Sequence, residues 1–163
     1  MPSALIAPGG LSVLTPFGEG AYAKLTLDAM ASAVRQGKAT RGAIKTEGTW
    51  SLGARAGDFV FVAGMQGIDP ATNTLVQDPH ARIRQAFLNI RLIAQSEGAS
   101  LQDCVRLTVY VSDLHRFAPM VDKVQAELWS KPPYPPRTMI EVQRLFDDDI
   151  VEIDSVFYAP VKR

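Results

Sequence analysis

The run Phe59-Val60-Phe61-Val62-Ala63-Gly64 is apolar at every position up to its closing glycine. A strand of that kind needs cover on both faces, unlike one that alternates apolar and polar residues and leaves a face to water. The rest of the chain limits what can supply the cover. One helix is predicted to open at Asp78-Pro79, a capping side chain followed by proline at the first helical position. It carries Ile83, Phe87, Ile90 and Ala94 as an apolar stripe until Gly98. A second helix is predicted from about Arg116 to Ser130, with Val121, Val124 and Leu128 inward, ended by Pro132-Pro133 and Pro135-Pro136.

Further strands surround these helices. Thr49 to Arg55 reads as a weak one, and Gly57-Asp58 as a turn. Val105, Leu107, Val109 and Val111 alternate with Arg106, Thr108 and Tyr110, the pattern of a strand with one face buried. Two last strands are predicted at about 137–144 and 150–158, joined by Asp147-Asp148-Asp149, with a short strand near Leu75. The order strand, strand, helix, strand, helix, strand, strand suits an α+β sandwich with both helices on one face of a single sheet. Two helices cover only one side, so the second face of Phe59–Ala63 must meet an N-terminal helix or another copy of the chain. An exposed apolar face of that size is an association site, and self-association is expected.

Residues 1–45 read as an extension and 46–163 as the main domain. In the extension, Ala23, Leu27, Met30 and Val34 follow at spacings of 4, 3 and 4, which predicts a helix over Tyr22 to Gln36 stopped by Gly37. The 163 residues suffice for one such domain plus this extension, and 47% apolar content supplies a core. Lys+Arg minus Asp+Glu is 17 − 17 = 0, which argues against an all-over basic nucleic-acid binder. A single cysteine, Cys104, excludes an internal disulfide framework and leaves a reducing compartment, the cytoplasm, as the expectation. No window approaches 18 uninterrupted apolar residues, so no membrane span is expected, and Pro8-Gly9-Gly10 interrupts the only candidate signal segment.

Most chemical-looking motifs have a plainer reading. Gly18-Glu19-Gly20-Ala21-Tyr22-Ala23 fits a dinucleotide fingerprint but lacks the buried strand before it, so it reads as a helix-entry turn. Ser51 reads as a pleat position rather than a nucleophile, and Cys104 as a small hydrophobe at a strand start. His80 and His115 have no ligand-spaced partners, so no metal site is expected. The segment Tyr134-Pro135-Pro136-Arg137-Thr138-Met139 differs. Two prolines stiffen the approach to Arg137 at the first residue of a strand, where a guanidinium can present its fork to a carboxylate. Spacing alone leaves that reading level with a surface arginine on an edge strand. Glu152 and Asp154 share one face of the last strand, opposite Val151, Ile153 and Phe157, and unaided they read as a solvated face.

Taken together, Phe59–Gly64, the helix opened by Asp78, Leu107-Thr108-Val109-Tyr110-Val111 with Asp113-Leu114 and Phe117, Tyr134-Pro135-Pro136-Arg137 and Val151-Glu152-Ile153-Asp154 resemble the Rid (YjgF-like) reactive intermediate deaminase family. The resemblance covers about residues 46–163. It implies a chorismate-mutase-like α+β fold with a single mixed sheet, a homotrimer with clefts between subunits, and cofactor-free hydrolysis of enamines and imines to 2-oxo acids and ammonia. It further implies that Arg137 holds the carboxylate of a small-molecule substrate, that Glu152 positions or deprotonates water, and that Gly64 lets the backbone approach the ligand. Trp50 and Met139 fall at substrate-contacting positions where members with the best-known imine activity usually have tyrosine and often cysteine. Val121 or Asp122 falls where those members carry a helix asparagine. These departures bear on substrate choice, and an aminomuconate-like substrate is a second possibility. Non-catalytic binding of small carboxylates is a rival reading, and an endoribonuclease is a third that zero net charge disfavours.

Overall fold

The computed structural model describes residues 34–36, 40–46 and 48–161. Six strands form the main sheet in the order β1-β2-β3-β8-β6-β7: β1 Val34–Gln36, β2 Gly53–Ala56, β3 Phe59–Gln66, β6 Cys104–Val111, β7 Arg137–Glu141 and β8 Val151–Tyr158. Every neighbouring pair is antiparallel except β6 and β7, so the sheet is mixed. β4, Ile68–Asp69, and β5, Thr74–Leu75, make a separate two-stranded ribbon in the connection that follows β3.

Helices α1, Pro79–Ser96, and α2, Leu114–Trp129, lie on one face of the sheet. Each starts where a side chain satisfies a free backbone N–H. Asp78 accepts from Ala81 N at 2.8 Å, and Asp113 accepts from Arg116 N at 2.9 Å. Ile83, Phe87, Ile90 and Ile93 of α1 and Phe117, Val121, Val124 and Trp129 of α2 are buried against the sheet. The Phe87 and Trp129 rings meet edge to face at 5.9 Å and join the two helices. From the sheet, Val60, Val62, Leu107, Val109, Val151, Ile153 and Phe157 complete the core.

Strict alternation along β8 buries Val151, Ile153, Ser155 and Phe157 and turns Glu152, Asp154 and Val156 to the other face. On that face Phe59, Phe61 and Tyr158 are exposed, Phe59 packing edge to face on Tyr158 at 5.5 Å. Around β3 the sheet face left open by the helices is therefore apolar, as the unbroken run Phe59–Ala63 requires.

Some sequence expectations need correction. Of the helix expected over Tyr22–Gln36, Val34–Gln36 is a strand, with Val34 opposite Ala56 and Gln36 opposite Ala54. The open edge of β2 offers backbone partners that a spacing pattern cannot anticipate, and the β-branched Val34 suits the pairing. The remainder of that helix, and the motif at Gly18–Ala23, lie outside the described residues. Ser51 precedes β2 rather than lying in it, and β7 stops at Glu141. No helix among the described residues is long and apolar enough to cross a membrane.

Candidate functional site

Arg137 begins the edge strand β7, opposite Leu107 of β6. Its side chain lies on the helix-covered side, where Nη1 donates to Gln125 Oε1 at 2.6 Å and Nη2 to Asp122 Oδ1 at 2.7 Å. Asp122 and Gln125 stand three residues apart on α2 and so share one face of it. Those bonds use two of the five guanidinium donors and fix the plane of the group, leaving its other donors for a ligand. An open pocket of about 400 Å³ surrounds it, lined by Asp122, Gln125, Ala126, Tyr134, Pro135 and Arg137. Met139, two residues along on the same face of β7, packs against the core.

Glu152 stands on the other face, opposite Gln66 of β3 and Tyr110 of β6. Between the pairs Val62–Ser155 and Met65–Ile153, β3 carries two residues, Ala63 and Gly64, against the single Asp154 of β8. This is a β-bulge, and it brings the Gly64 backbone against the Glu152 side chain. A Cβ at residue 64 would lie 2.7 Å from Glu152 Cδ and 3.0 Å from Cγ, and nearer still to Oε1. The glycine thus makes room for a carboxylate of the same chain, a role additional to the ligand approach expected of it.

The two acids on this face have different surroundings. Asp154 accepts a hydrogen bond from the Tyr110 hydroxyl at 3.1 Å. Glu152 is half-buried and accepts no hydrogen bond from the described residues. Burial, and then the negative charges of Asp149 and Asp154, raise its carboxyl above the ordinary 4.5. Asp149 itself is buried and lies 3.3 Å from Arg82 Nη1, with Ile150 N donating to it at 2.6 Å. Burial raises its pKa in spite of that arginine.

Trp50 lies just before β2. It is exposed and shares a cleft of about 560 Å³ with Phe61 and Ala63. The expected site residues therefore fall into two groups. Arg137 and Met139 belong to the helix-covered side of the β7 edge; Glu152, Gly64 and Trp50 belong to the open face and the β2–β3 end. Because Leu107 pairs with both Arg137 and Ser155, while Glu152 pairs with Tyr110, the arginine and the glutamate are two strands apart, three residues along and on opposite faces. One chain does not bring them into one cavity.

The other candidates of the sequence are accounted for structurally. Burial pushes the Cys104 thiol up to about 12, the behaviour of an inert core thiol. His80 Nε2 lies 3.7 Å from Glu127 Oε1, between α1 and α2. No group of three or more His, Cys, Asp or Glu among the described residues could hold a metal ion. Sequence reasoning missed Gln125, Asp149 and Arg82. Only the spacing of Asp122 and Gln125 on α2 was a usable signal, since the partners of Asp149 lie far away in sequence.

Residues 40–158 match the family described as endoribonuclease L-PSP. The chain belongs to this family, which is the Rid (YjgF) family that its motifs resemble. A RutC family protein of Pyrococcus horikoshii is 38% identical over 73% of this chain and 94% of its own. A Salmonella typhimurium protein named 2-iminobutanoate/2-iminopropanoate deaminase is 31% identical over 72% of this chain and 93% of its own. Among solved structures, a probable translation initiation inhibitor of Rhodopseudomonas palustris superposes with a TM-score of 0.77 at 48% identity, covering 78% of this chain and 99% of that one. The Rid fold, a mixed sheet with two helices on one side, is thus shared along the matched length.

Proposed function

We propose that this Rid-family chain hydrolyses reactive 2-imino acids, and the enamines that tautomerise to them, to 2-oxo acids and ammonia. The observation that carries this reading is Glu152: a half-buried carboxylate, seated on Gly64, with a raised pKa and no hydrogen bond from the described residues. A carboxylate of that kind suits a general base for one water molecule. Likeness to a relative named as an imine deaminase supports the same chemistry.

The reaction asks little of a catalyst. The imine carbon is already electrophilic, so holding it and delivering water in line is the main task. Water adds to C=N as Glu152 takes one of its protons and passes it to the nitrogen, giving a neutral carbinolamine; Glu152 then carries the hydroxyl proton to the nitrogen as C–N breaks, leaving the 2-oxo acid and ammonia. Arg137, its guanidinium held by Asp122 and Gln125, is suited to grip the substrate carboxylate. Because Arg137 and Glu152 lie on opposite faces, we assign the two to one site through different copies, the β7 edge of one meeting the open face of the next. A homotrimer of this kind also covers Phe59, Phe61 and Tyr158.

The test is a coupled assay in which an amino-acid oxidase or dehydratase supplies the imine and 2-oxo acid is followed. Wild-type protein is expected to accelerate its appearance, and Arg137→Ala and Glu152→Gln to remove the acceleration. An unchanged rate with wild type for every imine tried overturns the reading.

A further inference from the structure

Taking imine hydrolysis at Glu152 as its basis, we infer that Gln66 is a further catalytic residue, whose side-chain oxygen accepts one hydrogen of the attacking water while Glu152 takes the other.

Register puts the two side chains together. Gln66 of β3 pairs with Glu152 of β8 beyond the bulge, next to the pair Met65–Ile153. Met65 and Ile153 are buried under the helices, so Gln66 and Glu152 both turn to the open face. Side chains paired in this way start about 4.5–5.5 Å apart at Cβ. Two acceptors that share one water molecule stand about 4.5 Å apart, each about 2.8 Å from its oxygen. Glutamine and glutamate have equal reach, so the pair spans the width of one water.

The amide is also oriented. Gln66 Nε2 donates to the main-chain oxygen of Phe146 at 2.8 Å. A carbonyl oxygen only accepts, so the nitrogen is the atom turned to it and Oε1 the atom left over. Oε1 accepts no hydrogen bond from the described residues. The backbone beneath is fixed as well. Buried Asn89 of α1 donates from Nδ2 to Gln66 O at 3.0 Å and to Ile68 O at 2.8 Å, and Gln85 Nε2 donates to Asn89 Oδ1 at 2.8 Å. On the other side of Glu152, its neighbour Tyr110 is already committed, the hydroxyl donating to Asp154 at 3.1 Å.

A water held by Glu152 alone turns about that one hydrogen bond, and only some of its orientations aim a lone pair at the imine carbon. With its second hydrogen on Gln66 Oε1 it is fixed at both hydrogens, which leaves its lone pairs for the carbon. As the oxygen bonds to that carbon, Glu152 takes one proton and delivers it to the nitrogen. The hydrogen on Gln66 stays on the new hydroxyl of the carbinolamine, and it is the proton that Glu152 carries to the nitrogen when C–N breaks. Gln66 keeps its own protons throughout. Being neutral, it adds no charge beside a carboxylate that Asp149 and Asp154 already crowd.

The experiment compares wild type with Gln66→Met, which keeps the length of the side chain without its polar atoms, and Gln66→Lys, which keeps a donor for Phe146 O but has no acceptor. Gln66 is half-buried, so neither change opens the core. For each protein kcat and KM are measured for the leucine-derived imine, supplied at graded rates by an amino-acid oxidase, with Kd for the corresponding 2-oxo acid and the oligomer mass. Both variants are expected to lose about 10- to 100-fold in kcat, between the worth of one neutral hydrogen bond and the cost of a misplaced water. KM and Kd are expected to stay within about twofold of wild type, the split that marks an interaction made only in the transition state. A wild-type kcat in either variant, or a fall in kcat matched by an equal weakening of 2-oxo acid binding or by a changed oligomer mass, makes the amide a tie for the loop at Phe146 and overturns the inference while imine hydrolysis stands. Absence of turnover by wild type for every imine overturns both.

Discussion

Gly64 and Glu152 form one unit at the level of single residues, because the carboxylate occupies the volume a side chain at 64 would need. Gly64→Ala is expected to move the carboxylate and reduce imine hydrolysis by about 100-fold, the scale of effect of a misplacement near 1 Å. Normal cooperative melting of that variant would show that position, not folding, was lost. Glu152→Gln separates charge from shape. A carboxyl whose pKa is raised on folding contributes stability below its unfolded value that is lost as pH rises through its folded value. Ionised Glu152 therefore costs stability at neutral pH, next to Asp149 and Asp154. Glu152→Gln is expected to raise Tm at pH 7, by about 2–4 °C for each kcal/mol relieved, and to match wild type below about pH 4. A lowered Tm at pH 7 would contradict this account of the site.

At the scale of elements, both helices were legible because their starts and core stripes are local properties. Asp78 and Asp113 cap their own third residue on, and the apolar spacings of Ile83 to Ile90 and Val121 to Val124 follow the helix period. Asp78→Ala is expected to cost about 1 kcal/mol in urea denaturation, the usual value of such a cap. A change within error would mean that Pro79 and packing alone fix the start of α1. The strand β8 was equally legible from its alternation. β1 was not, since its partner, β2, lies about twenty residues away and nothing in Val34-Arg35-Gln36 names that edge. The bulge at Ala63-Gly64 was also invisible: it is a mismatch between two strands, and one strand read by itself does not show it.

For the molecule as a whole, the separation of Arg137 from Glu152 is the reason the proposed site is shared between copies. Protein in solution is expected at about three times the 17.7 kDa chain mass by light scattering. Co-expression of Arg137→Ala with Glu152→Gln chains tests the shared site directly. Each variant alone is expected to be inactive, whereas random mixed trimers would contain some sites with both residues intact. Activity of about a quarter of wild type is expected from that statistical mixing across a rotationally symmetric interface. Failure of the mixed oligomer to recover activity would place both residues within one chain's own site, or remove one of them from the chemistry.

The sequence by itself determined the two helices, the alternating strands, the apolar open face, the chain's family and the residue types available for imine chemistry, because those follow from local periodicity, capping and contiguous motifs. Tertiary structure alone decided which face each residue serves. The β6–β7 and β6–β8 registers set Arg137 and Glu152 on opposite sides, the bulge seated Glu152 on Gly64, and α2 supplied Asp122 and Gln125 to the guanidinium. Register and long-range pairing depend on the free energy of the whole packed sheet, and a one-residue slip would turn every one of these side chains to the other face.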